Sequence, residues 1–421
     1  MQATAGTRSP SGSHVSPVTE ISGGCSGTNS EVEAATGAPS YVYDVWIGCG
    51  GIGFARSTDG GGHFRAPVRM PGSAGGWDPS IAVAPDGTVY AAYMHKAKGR
   101  SYPIVAASFD HGATFPQVSS LVPSAKGNWG DRDFIAAGWN GDVYLTWDYG
   151  PSAAKIKFLC SSTGSCAYSA GDVNAVIQKS VDGGKTWGPI TPVAPGFPRN
   201  GGYSAPLVAQ PDGRVDVLYW GHYVSPRTYA LHPGYEYFTS SRDGTTWPLH
   251  PLKLWPGNGS IALPVWWIDG DLSRDSAGDL YATWDTQTSG EDIGWLSSSN
   301  DGGRRWSHPV RVTPDKDSAV HIVQVAGGRA GIAYVAWQTN ASPRGYATYV
   351  RPFSIRRGWL GPAIQVSSQY GNSKIWPGDT LGIAILPGGP GVRLAMSWGS
   401  AIGTSKNSGI YAAVVNLPAT P

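Results

Sequence analysis

The sequence predicts an all-β fold: one domain, a seven-bladed ring of four-stranded antiparallel blades. Three observations carry that expectation. A short string, "KSVDGGKTW" from Lys179 to Trp187, returns as "STDGGGHF", "SFDHGATF", "SRDGTTW" and "SNDGGRRW". Its serines, Ser57, Ser108, Ser180, Ser241 and Ser299, lie 51, 72, 61 and 58 residues apart, a period that belongs to repeat architectures. Upstream of each string runs a second pattern, clearest in "DPSIAVAPDGTVYAAY" from Asp78 to Tyr93, in which alternating residues lead through a turn into another strand. The last unit is short of one strand, and a matching string stands near the N-terminus.

Each blade can be built in order from strands a to d. The second pattern supplies strand a, a turn and strand b. The Ser-x-Asp string is the turn between c and d, where Gly provides the positive φ and the Asp carboxylate accepts backbone N–H groups. The closing Trp or Phe fills the gap between sheets. These turn acids, Asp59, Asp110, Asp182, Asp243 and Asp301, are read as structural. Four-stranded antiparallel units at this period are propeller blades. They fall at 28–70, 76–124, 128–195, 199–257, 258–314, 318–368 and 374–416. The first has a weak strand a, "SEVEAATG", and the alternative is six blades if 28–70 is incomplete. The last lacks strand d. "SPVTEIS" (Ser16 to Ser22) resembles the d strand "GPAIQVS" (Gly361 to Ser367) and is expected to close the ring from the N-terminus. The expected domain spans 14–416, after a disordered leader at 1–13 and before a tail at 417–421.

Composition fits this picture. The 59 Gly and 33 Pro supply many turns, while 18 Trp and 20 Tyr argue against disorder. With charged residues at 14% and a net charge of +2, the chain has no basic stripe for nucleic acid. No apolar run approaches the roughly 20 residues of a membrane-spanning helix. The start lacks a basic n-region and an apolar h-region, and reads as a mature secreted chain with an added Met or as a leader. The four cysteines form no CxxC pair and stand beside no His cluster, which argues against zinc. Their even number, with Cys160 and Cys166 close together, points to disulfides and an oxidising compartment, Cys25 with Cys49 being the other pair. No cofactor is expected.

The string "KSVDGGKTW" looks like an Asp box, or BNR repeat, and the chain resembles the Asp-box β-propellers, sialidase-like in the broad sense. The resemblance covers nearly the whole chain. The last two units lack the box, "SIRRGW" (Ser354 to Trp359) looking like a decayed one. Such propellers include sialidases, other carbohydrate-active enzymes and non-catalytic binders, so the fold alone fixes no activity. The resemblance implies a ligand site in the central funnel, on the face opposite the c–d turns.

Residues entering strand a or leaving strand b should line that funnel. Entering strand a are Glu31 and Glu33; Trp77 and Asp78; Asp131, Arg132 and Asp133; Asn200 and Tyr203; Trp266, Trp267 and Asp269; His321; and Trp376 and Asp379. Leaving strand b are Trp46, His95, Asp148 and Tyr149, Trp220 and His222, Asp285, Gln338 and Ser400. Counting back from the a–b turn glycine places Asp78, Arg132, Ser204 and Asp269 at equivalent positions. Aromatic faces stack on sugars and carboxylates accept their hydroxyls, so carbohydrate is the expected partner and a monomer the expected state. Two carboxyl groups at suitable spacing permit glycoside hydrolysis. The candidate catalytic acids are Asp131, Asp133, Asp78, Asp148, Asp269 and Asp285. The candidate binding residues are Arg132, Tyr203, His222, His321, Trp77, Trp266, Trp267 and Trp376. The arginine triad of a sialidase is not evident, and Tyr235-Glu236 falls in a c strand. A polysaccharide lyase using a Tyr or His base with Arg132, and a non-catalytic carbohydrate binder, are the alternatives.

Overall fold

The structure, a computed structural model, describes residues 12–160, 166–170, 172–196, 200–203, 205–223, 235–254, 270–288, 291–313, 320–341, 344–388 and 391–418. It is a seven-bladed β-propeller of antiparallel, four-stranded blades. Blade 1 holds Ser30–Gly37, Tyr41–Gly48, Gly51–Ser57 and Val68–Arg69 as strands a to d, so the weak first strand forms and the six-blade alternative falls. Blade 2 (Trp77–Val83, Val89–Ala97, Arg100–Ser108, Gln117–Ser120) repeats the plan. Blade 3 runs Trp129–Ala137, Val143–Gly150, Asn174–Ser180 and Thr191–Pro192. Between its b and c strands it carries a hairpin, Lys157–Cys160 with Cys166–Ala170.

Blades 4 to 6 have b strands Val215–Tyr223, Leu280–Thr288 and Ile332–Ala341. Blade 7 takes Gly382–Leu386, Val392–Ser400 and Gly409–Leu417 from the C-terminal end. Its outer strand comes from the N-terminus, as two short pieces paired with Gly409–Leu417: His14–Val15 and Thr19–Glu20. Pro17, which has no N–H to give a ladder, separates them. The Ser16 and Ser22 hydroxyls nonetheless accept from the Val414 and Ile410 amides at 2.9 Å each. A disulfide joins Cys25 to Cys49, tying the closing segment to the b–c turn of blade 1. Cys160 and Cys166 face each other across the blade 3 hairpin in backbone register.

Innermost strands of neighbouring blades pack against one another all the way round, blade 7 against blade 1 included. Side chains from the middle strands fill the wedges between blades. Trp46, Trp147, Trp220, Trp284 and Trp398, each near the end of a b strand, are fully buried, as are Tyr43, Tyr93, Tyr144, Tyr219, Tyr281 and Tyr334. Burying one such ring contributes about 1.5–3 kcal/mol, so these positions are core. All five Ser-x-Asp strings form the same c–d turn. In the Ser180 turn the serine hydroxyl donates to Asp182 Oδ1 at 2.8 Å and accepts the Gly184 amide at 2.8 Å. Asp182 also takes the Thr186 amide at 2.9 Å and the Thr186 hydroxyl at 2.6 Å. These donors hold the carboxylate ionised, at a pKa of about 2. Asp110 and Asp243 repeat that pattern through Thr114 and Thr246, and Asp301 repeats its amide half through Arg305.

Candidate functional site

Strand a of blades 1, 2 and 3 begins with the same backbone irregularity. Register with strand b slips between Ser30 and Val32, between Trp77 and Ser80, and between Asp131 and Asp133. Inside each slip one non-glycine residue sits in the left-handed region: Glu31 at φ 51°, Asp78 at 46° and Arg132 at 46°. Such backbone costs about 1–3 kcal/mol per residue and clusters where it serves a site. A bulge re-aims the side chain it carries, and three successive bulges bring Glu31, Asp78 and Arg132 together at the axis. Blade 6 slips in the same way at His321.

Hydrogen bonds and ion pairs knit the three blades to blade 7. Arg132 Nη2 pairs with Asp379 Oδ2, across the axis from blade 3 to blade 7. The Arg132 backbone amide donates to Asp78 Oδ2 at 3.1 Å, and its Nε lies 3.9 Å from the same oxygen. Trp77 Nε1 donates to Asp131 Oδ1 at 2.6 Å, and Ser80 Oγ to Asp133 Oδ1 at 3.3 Å. Glu31 and Asp131 each share a side-chain hydrogen bond with Asp78. Asp133 and Asp379 are buried, while Asp131 and Trp77 are half-buried.

Electrostatics split these acids into two kinds. Burial resists ionisation of Asp78, but the Arg132 charge and hydrogen bonds from Glu31, Asp131 and the Arg132 amide outweigh it and hold its pKa low. Burial pushes Asp131 well up, the Asp78 charge pushes it further, and Arg132 only partly offsets both. Glu31 is raised by burial and by the charges of Asp379 and Asp78. Asp133 is raised by burial, then by Asp78. Asp78, held towards the ionised form, therefore sits between two carboxyls pushed towards the acid form, beside a guanidinium.

The remaining expected residues fall in several places. Asp148 pairs with Asp131 across strands a and b and is fully buried. Asp285 is buried at the matching place in blade 5. Trp376 is 41% exposed on the loop leading to Asp379. Gly201 faces His222 and Tyr203 faces Trp220 in the blade 4 ladder. Trp266, Trp267, Asp269 and Ser204 lie outside the described residues, as do the side chains of Tyr203, His222 and His321. Glu236, in a c strand, is buried away from the cluster, its carboxyl raised by burial. Among the described residues no group of three or more His, Cys, Asp or Glu has a metal-holding arrangement.

Comparisons with known proteins bear on the fold. No family model and no curated protein matches the chain. Solved structures do. A protein of unknown function from Dyadobacter fermentans is 12% identical with a TM-score of 0.56, over 96% of this chain and 99% of that one. The polysaccharide lyase Uly1 is 11% identical with a TM-score of 0.51, over 91% and 89%. The α-L-arabinofuranosidase Arb93A from Fusarium graminearum is 12% identical with a TM-score of 0.50, over 93% and 98%. At such identity the likeness establishes a shared propeller architecture.

Proposed function

We propose that the chain is an extracytoplasmic glycoside hydrolase that cleaves a poly- or oligosaccharide in its axial funnel. The observation carrying this reading is the Asp131 carboxyl, bonded by Trp77 and pushed up beside Asp78, which is itself held low. Glycosidic cleavage needs a carboxylic acid to protonate the leaving oxygen and a carboxylate to meet the positive charge on the sugar ring. Asp131 tends to the first state and Asp78 to the second, and the hydrogen bond they share has to part to admit the glycosidic bond between them. Glu31 shares a hydrogen bond with Asp78, and Arg132 keeps it ionised. Trp77, fixed by its bond to Asp131, and the exposed Trp376 offer ring faces for sugar stacking.

A lyase acting on uronates would need a cation to neutralise the substrate carboxylate. Arg132 is already engaged by Asp78 and Asp379, which favours hydrolysis. The Cys25–Cys49 disulfide suits an oxidising compartment. The test is a panel of plant, algal and bacterial polysaccharides assayed for new reducing ends and for unsaturated uronates, with Asp131→Asn in parallel. Reducing ends that vanish in the variant support the proposal. Unsaturated products would make the protein a lyase, and binding without turnover a lectin-like propeller.

A further inference from the structure

The c–d turn of blade 6 departs from the other turns in its chemistry. Where five turns read Ser-x-Asp, this one reads Ser354-Ile355-Arg356, followed by Arg357. Ser354 Oγ here accepts the Arg356 and Arg357 amides, at 3.3 Å each, without a carboxylate to share them. An acidic turn has become a doubly basic one.

The turn borders a cavity of about 550 Å³ between blades 5 and 6, on the face opposite the axial cluster. Arg329 joins Arg356 and Arg357 in its wall, from the a–b turn of the same blade, and Asn300 adds an amide from the blade 5 turn. All three arginines are exposed at the opening. The wall holds one acid, Asp279, whose carboxyl is raised by burial and by the Asp275 charge, Arg356 opposing. The volume lies within the roughly 300–1,000 Å³ of small-ligand sites. A guanidinium fork matches the oxygens of a sulfate or carboxylate in a bidentate fashion, and the adjacent forks of Arg356 and Arg357 at one cavity set a preference for an anion.

We infer that the blade 5–blade 6 cavity is a second carbohydrate site, taking a mono- or disaccharide unit that bears a sulfate or carboxylate group. Arg356 and Arg357 hold the anionic group, and Asn300 meets ring hydroxyls. The site lies across the ring from the axial acids and works whether or not those acids are catalytic.

Calorimetric titration of the full chain with a sulfated heparin-type disaccharide, a digalacturonate and inorganic sulfate tests this. At least one disaccharide should bind saturably, more tightly than inorganic sulfate, and more weakly as salt rises. Which disaccharide binds identifies the anionic group. R356D restores the Ser-x-Asp pattern, so it should leave the melting temperature unchanged or higher while weakening binding at least about tenfold. R357A should weaken binding similarly without touching the Ser-x-Asp position, and D131N should leave it intact. Binding equal in wild type, R356D and R357A overturns the inference. So does a titration in which neither disaccharide binds, or in which only inorganic sulfate does.

Discussion

Arg132 reaches from blade 3 across the axis to pair with Asp379 of blade 7, while its backbone amide holds Asp78 of blade 2. One residue thus links three blades, and its charge decides which neighbouring carboxyl is ionised. Replacing it with Leu leaves Asp78 and Asp379 buried without that cation. Loss of one partner of a buried pair costs about 3–5 kcal/mol. Arg132→Leu should therefore lower stability by that order in urea unfolding. Arg132→Leu/Asp379→Asn should recover part of the loss, since the second change removes an orphaned charge. Strictly additive single and double variants would mean that the pair carries no coupling.

The same charge pattern sets an expected pH profile. Asp78 is held low and Asp131 is pushed up, so the working form, Asp78 ionised and Asp131 protonated, spans the interval between them. Turnover should decline as pH rises through the raised pKa of Asp131. Asp131→Asn should abolish most activity at every pH with its melting temperature nearly unchanged. If Asp131→Asn instead unfolds the ring and the folded remainder keeps its activity, the cluster is a plug between blades. Asp133, more deeply buried and bonded to Ser80, should act on positioning, with Asp133→Asn impairing turnover less than Asp131→Asn.

Repetition made the fold readable and the site only partly so. Ser-x-Asp turns and a–b turns recur, and each carries its own geometry, so blade number and closure followed from counting. Asp78 and Arg132 are equivalent in the sequence because both lie nine residues before a turn glycine, Gly87 and Gly141. Glu31 has the same bulge, but its a–b turn, Ala38-Pro39-Ser40, has no glycine from which to count. Asp379 stands three residues ahead of a short strand a and is defined only by the partner it meets across the axis. The sequence places both on the rim and assigns neither a role, since cross-ring pairing is a property of closure and leaves no local pattern. The basic blade 6 turn was legible as a decayed repeat, but its cavity was not.

The carboxylates of the Ser-x-Asp turns should matter for stability alone. Asp182 satisfies the Lys185 and Thr186 amides and the Thr186 hydroxyl, all on the face away from the axis. Asp182→Ala should lower the melting temperature by a few degrees while activity per folded molecule stays constant. Because the pKa is depressed in the folded state, the stabilisation is present above about pH 4 and is lost as pH falls towards 2. A selective loss of turnover at unchanged stability would overturn the structural assignment.

Ring closure rests on a short segment and should be measurable directly. His14–Val15 and Thr19–Glu20 cover the outer edge of Gly409–Leu417, and Ile21 is buried with Trp46 and Ile410. Removing residues 1–25 exposes that edge and breaks the Cys25–Cys49 link. The shortened chain should melt several degrees lower and associate more readily at its open edge. An unchanged melting temperature would rule the closure out.

Asp44 adds a pH dependence at the same seam. It lies on strand b of blade 1, is 1% exposed, and faces Phe64 and Met396 in the wedge against blade 7. Burial raises its pKa to about 7, and the neighbouring Ser397 hydroxyl, which favours the anion, offsets only part of the shift. The unfolded chain ionises this group near pH 4. Below that pH the carboxyl is protonated in both states and stability is complete. As pH rises towards 7 the unfolded state gives up its proton first, so stability falls, and above the folded pKa the loss levels off. Roughly three pKa units correspond to a loss on the order of 4 kcal/mol. Asp44→Asn keeps the shape of the neutral carboxyl and removes the titration. Urea unfolding at steps from pH 4 to pH 8 should show wild type losing stability relative to the variant across that window. Parallel curves would mean that Asp44 does not titrate there and that the seam stays neutral throughout.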